Sequence, residues 1–133
     1  MVKTEVLEAN PDLGKALVGA WYEIMSAMES QPEVRAHMGE ASGTDQAGYE
    51  AQLATTQMFY SPSDAVAFVK SPELMTTMEY VANFSFEHGL LGEGAADAGF
   101  IGIETPSGVF GNSRNIKLRF DPSYMEMAAE GSL

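Results

Sequence analysis

The 133-residue chain contains no cysteine. Disulfides, thiolate metal sites and cysteine nucleophiles are thereby excluded, while the redox compartment stays open. Basic residues are almost as scarce: seven Lys and Arg stand against nineteen Asp and Glu, a net charge of −12. Between Ala36 and Ser113 the only base is Lys70. Such a balance repels phosphate backbones and anionic lipid heads, so neither nucleic acid nor an acidic membrane surface is expected as a partner. No apolar run approaches the roughly 20 residues that cross a bilayer, and direct membrane insertion is not expected. The opening residues, MVKTEVLEANPDLG, hold no apolar stretch of signal-peptide length and carry acids early. A location outside the cytoplasm would need a targeting segment that these residues do not supply.

What remains is a chain with enough apolar residues, 45%, for one globular core. Its length suggests a single unit over residues 1–133: helical over 1–90, a Gly-rich loop with short strands over 91–120, and a closing helix over 121–131. Proline marks the helix starts. Five of the six prolines follow a polar residue and precede an apolar-periodic stretch, at Pro11, Pro32, Pro62, Pro72 and Pro122. Proline suits the first helical position, where its missing N–H has no helical partner, and Asn, Ser or Asp before it can cap the next amides.

These signals predict a helix over Pro11–Glu29, with Leu13, Leu17, Ala20, Trp21, Ile24, Met25 and Met28 in one apolar stripe. Gly14 and Gly19 inside it suggest close approach to a neighbour, since each costs roughly 1 kcal/mol relative to Ala. A shorter helix is expected over Pro32–Glu40, and another over Asp45–Thr56 with Thr44 as its cap. Ser61 opens a helix with Ala65, Val66, Phe68 and Val69 inward, and Ser61 with Asp64 resembles a capping box. Ser71 opens a longer one with Leu74, Met75, Met78, Val81, Ala82 and Phe86 inward. Gly89 reads as its C-terminal cap, with Leu90 packing back.

From Gly89 to Gly111 seven glycines fall in 23 residues. A short strand is expected over Phe100–Glu104, a turn at Thr105-Pro106-Ser107-Gly108, and a half-buried strand where Ile116, Leu118 and Phe120 alternate with Lys117 and Arg119. Asp121-Pro122 starts the closing helix, which carries Tyr124, Met125 and Ala128. The fold class is mainly α with two or three short late strands, for which the sequence shows no obvious central sheet.

Little in this sequence carries catalytic chemistry. His37 and His88 have no histidine partner at helical spacing, so metal binding is not expected. No G-x-S-x-G is present. Gly92-Glu93-Gly94 starts a dinucleotide fingerprint, but Asp97 stands where glycine is required. The carboxylates are spread along helix faces as a solvated surface is. Arg114, Lys117 and Arg119 form the only basic cluster, most simply an exposed strand face. No enzyme and no cofactor are expected. Binding potential concentrates in TTQMFY, residues 55–60. There Thr56, Phe59 and Tyr60 precede a helix N-terminus, where free amides favour anions and aromatic walls suit a small ligand. The plainer reading of the same residues is a helix end with two aromatics in the core.

The run NPDLGKALVGAWYEIM resembles the helix after the return crossover in solute-binding proteins of ABC transporters, of the nitrate/sulfonate/taurine class and its putative urea branch. SGTDQAGYEAQLATTQMFYSPSDAVAFVKSPEL, FSFEHGLLGEGA and NIKLRFDPSYMEMAAEGSL resemble that family's carboxy-terminal region in the same order. The resemblance spans essentially the whole chain and rests on a diffuse pattern. It implies the C-terminal part of a periplasmic-binding-protein type II α/β fold, a periplasmic location, a small polar solute as ligand and an ABC permease as partner. It also implies that much of the sheet and most ligand contacts lie elsewhere in the protein, which would leave an apolar face uncovered and prone to self-association. The alternative is a free-standing acidic helical domain that works through protein contacts and binds no ligand.

Overall fold

A computed structural model describes residues 1–133 as seven α-helices and three short strands. The helices are α1 (Thr4–Ala9), α2 (Pro11–Ser30), α3 (Pro32–Ala41), α4 (Gln46–Leu53), α5 (Pro62–Lys70), α6 (Pro72–Glu87) and α7 (Ser123–Glu130). The strands are β1 (Gly102–Thr105), β2 (Gly108–Phe110) and β3 (Ile116–Arg119). The mainly helical class and the late strands are thus as the sequence indicates. Contacts group the chain into two compact units, one of Met1–Ala65 with Tyr124–Leu133, the other of Val66–Ser123.

Each of the five marked prolines opens or immediately precedes a helix. The polar residue before it plays a less uniform part. At α5 the Ser61 hydroxyl accepts from Asp64 N at 3.1 Å and donates to the Asp64 carboxylate at 2.7 Å. The shorter Asp therefore closes the box on the hydroxyl, where a Glu would reach the cap's own amide. Asn10 and Ser71 do not cap forward. Asn10 Nδ2 donates back to Val6 O, and Ser71 Oγ donates back to Phe68 O. Asn10 is drawn backward because α1, which carries no clear signal in the sequence, ends on it. The cap of α4 is Asp45, not Thr44: its carboxylate accepts from Gly48 N at 2.8 Å. α4 also stops at Leu53, with residues 54–56 in a turn.

In the first unit α3 packs on both α4 and α2, and α1 packs on α2. Met25 and Met28 are buried at 4% and 3% exposure. Gly14 is buried under the ring of Tyr124, which occupies the space a β-carbon would need. The close approach expected of this glycine has its partner. Gly19 has only ordinary contact with Leu133. The apolar stripe of α2 splits into two faces. Met25 and Met28 enter the core, whereas Leu13, Leu17, Trp21 and Ile24 lie exposed, Trp21 at 59%.

In the second unit α6 packs on a sheet of order β2-β1-β3. β1 and β2 make an antiparallel hairpin around Pro106-Ser107, and β3 lies parallel to β1 on its other edge. The strands therefore supply one another's partners, with β1 central. The first strand starts two residues later and ends one residue later than expected, and β2 carries no clear signal in the sequence. The glycines explain the register. Gly111, at φ +76°, brings its backbone against that of Gly99 and Ile101, where a β-carbon would overlap the Ile101 carbonyl. Such a turn suits only glycine. Leu74, Ala82, Ile103 and Thr105 are buried in this unit. Val81 and Phe86, expected inward, are exposed at 45% and 37%.

Helix α6 ends as the sequence suggests. Gly89 N donates to Phe86 O and Leu90 N to Ser85 O, the paired bonds of a Schellman motif. Leu90 does not pack back; it is 69% exposed. The same paired bonds close α3 at Gly43 and α7 at Gly131.

Candidate functional site

An open groove of about 410 Å³ lies in the first unit, lined by Glu29, Arg35, Glu50, Leu53, Ala54 and Tyr60. Its floor is set by one arginine. Arg35 is half-buried on α3 and faces the C-terminal end of α2, where the last carbonyls lack helical partners. Its Nη1 donates to Met28 O at 2.6 Å and to Glu29 O at 3.3 Å. Its Nε donates to Glu50 Oε1 at 3.3 Å. Gln46, one turn earlier on α4, donates to the same oxygen at 2.9 Å. These bonds hold the Glu50 carboxyl below the ordinary glutamate range, the Gln46 amide first and the Arg35 guanidinium second.

Of the three residues singled out from sequence, only Tyr60 lines the groove. It arrives on the irregular segment 57–60 that follows the turn after α4. Thr56 is exposed and its hydroxyl donates back to Gln52 O at 3.0 Å, as Thr55 does at 2.9 Å. Phe59 is half-buried and does not reach the groove. The helix N-terminus beside them is also unsuited to an anion. Asp64 stands in the first turn of α5, so a carboxylate already occupies the positive end of that helix. Arg35 and Glu50, which build the groove, are not singled out by any motif. The available signal was that Arg35 is the only arginine before Arg114 in an acidic chain.

The electrostatics follow from which groups are already engaged. Arg35 donates to two backbone carbonyls and to Glu50, while Glu29 and Glu50 are both exposed residues. The ionised lining residues carry a net charge of −1, from Glu29 and Glu50 against Arg35. The arrangement can accept hydrogen bonds from N–H donors and offers the Tyr60 ring as an apolar wall.

Elsewhere, no three His, Asp or Glu side chains converge as a metal site would need. His37 is exposed, with Nδ1 3.9 Å from Glu40. His88 stacks on Phe84 at a centroid distance of 3.9 Å, its Nδ1 2.8 Å from the Phe84 carbonyl. Arg119 pairs with Glu104 on the neighbouring strand, and Lys117 is exposed. No helix is long and apolar enough to cross a membrane. No protein-family model matches the chain, and no match was found among curated proteins or solved structures.

Proposed function

We propose that the chain is the carboxy-terminal portion of a periplasmic solute-binding protein, of binding-protein type II fold, serving an ABC importer of a small polar solute. The observation that carries the reading is a shortage of cover. Eight apolar residues are buried, and none of the large ones is fully enclosed. Fifteen large apolar residues stay exposed, among them Leu13, Leu17, Trp21 and Ile24 on α2 and Tyr80, Val81 and Phe84 on α6. Helix faces patterned for burial and left open fit a segment whose cover lies elsewhere in a larger protein. The sequence resemblance supports the same reading.

The groove at Tyr60 is the wall this segment would contribute to a solute site. Among the solutes of that class its charge favours a neutral amide such as urea. The Glu29 and Glu50 carboxylates accept N–H donors and repel nitrate or a sulfonate. One wall is a weak site, because a solute of few atoms gains at most about 1.5 kcal/mol from each. Titration calorimetry with urea, nitrate and taurine should therefore show nothing tighter than millimolar, roughly 4 kcal/mol. A micromolar constant that Tyr60→Ala abolishes would show a complete site and refute the partial-site reading. In-frame coding sequence upstream of Met1 should specify a signal peptide and a first lobe.

A second reading, a free-standing acidic interaction domain, is favoured by one observation. The late strands pair among themselves and need no sheet from outside. A stop codon directly upstream of Met1 would decide for it.

A further inference from the structure

Two helices end at the groove. α2 closes at Ser30, and its last turn brings Glu29 to the lining. α4 closes at Leu53, and its last turn brings Glu50 and Leu53, with Ala54 as the C-cap. A helix C-terminus carries the equivalent of about half a negative charge, which a base in the last turn commonly offsets. Neither helix has such a base. The opposing charge is a single guanidinium. Arg35 reaches in from α3 and donates to Met28 O, Glu29 O and Glu50 Oε1. Against it stand two carboxylates and two helix ends, so the surplus at the groove is negative.

Glu50 stays ionised at neutral pH, because Gln46 and Arg35 both donate to its Oε1. Its Oε2 takes neither bond and keeps its capacity as an acceptor. The rest of the lining is carbon: Leu53, Ala54 and the Tyr60 ring, and an aromatic ring also attracts a cation laid on its face. The volume of about 410 Å³ lies in the range of small-molecule sites. We infer that the groove selects a small organic cation bearing N–H donors, its charged head at Glu29 and Glu50 and its carbon part against Leu53, Ala54 and Tyr60. This inference rests on the solute-site reading of the groove and carries it one step further, from a neutral amide to a cation.

Urea and guanidinium are planar N–H donors of nearly equal size that differ by one positive charge, so the pair isolates the charge. A unit charge beside a carboxylate is favoured about fivefold even at the dielectric constant of water. Nuclear magnetic resonance titration of the full chain with guanidinium chloride and with urea, at constant ionic strength, reads the two directly. Tens of millimolar suffice, well below denaturing concentrations. Guanidinium should give saturable shifts at the groove and bind about fivefold or more tighter than urea. Glu29→Gln alters an exposed residue, keeps the fold and should erase most of that preference. Tyr60→Leu keeps the carbon surface and should weaken guanidinium more than urea. Glu8→Gln, beyond the far end of α2 and about 30 Å along it, should change neither. Urea that binds as well as guanidinium, guanidinium shifts that never saturate, or a preference that survives Glu29→Gln overturns the inference. Urea binding without a charge preference would end it and leave the solute reading standing. A stop codon directly upstream of Met1 would remove the transporter reading and leave a guanidinium site untouched.

Discussion

Arg35 ties the α3–α4 pair to the end of α2: its Nε donates to Glu50 Oε1 at 3.3 Å while its Nη1 donates to Met28 O at 2.6 Å. A cation at a helix C-terminus satisfies carbonyls that the helix leaves open and meets the negative end of its dipole. Hydrogen bonds from a charged donor contribute more than neutral ones, so Arg35→Ala should lower stability by about 1–2 kcal/mol in urea denaturation. Arg35→Lys should fall between, because a point charge cannot hold two carbonyls and a carboxylate in one plane. Loss of Glu50 should cost less than loss of Arg35, since an exposed ion pair adds little. Equal losses for the two variants would mean that the pair, and not the helix end, carries the effect.

Glu50 predicts an acid-side response. The Gln46 and Arg35 bonds depress its folded-state pKa, so the unfolded chain binds the proton more readily. The stabilisation from this group is then complete above the ordinary glutamate pKa, about 4.3. It is lost as pH falls from there through the depressed value. Glu50→Gln keeps the shape and removes the titration. Urea midpoints measured between pH 7 and pH 3 should fall less steeply for the variant, and parallel curves would contradict the assignment.

The two glycines of α2 should respond in opposite directions. Gly19 has room for a methyl group, because a β-carbon there would lie 3.5 Å from Leu133, at ordinary contact distance. Gly19→Ala should therefore raise stability by about 0.5–1 kcal/mol through helix propensity alone. Gly14→Ala gains the same propensity but must displace the Tyr124 ring. Its net effect should be destabilising, read as a lower thermal midpoint. A stabilising Gly14→Ala would show that Tyr124 moves aside without loss.

Caps offer a further discrimination. Ser61→Ala and Asp45→Ala each remove an oxygen that accepts from a first-turn amide, and each should cost about 1 kcal/mol. Thr44→Ala should cost clearly less than Asp45→Ala, because Asp45 is the residue that caps α4. The reverse order in thermal denaturation would restore Thr44 as the cap.

Much of this organisation was local and therefore legible in the sequence. Proline at the first helical turn, the Ser61–Asp64 box, the Gly89 ending and the alternation at Ile116–Phe120 depend on neighbours a few residues away, and the structure keeps all four. Local rules also misled where two nearby acceptors compete, as with Thr44 and Asp45. Other features were decided by distance along the chain. Which half of the α2 stripe enters the core depended on where α3 and Tyr124 settle. The groove depended on a contact between Arg35 and Glu50 fifteen residues apart. The pairing of β1 with β3 depended on the glycine-bearing turn at Gly111 that lets two backbones meet. Periodicity says that a face is apolar, but only the tertiary structure says whether anything covers it, because burial is a relation between surfaces and not a property of either one.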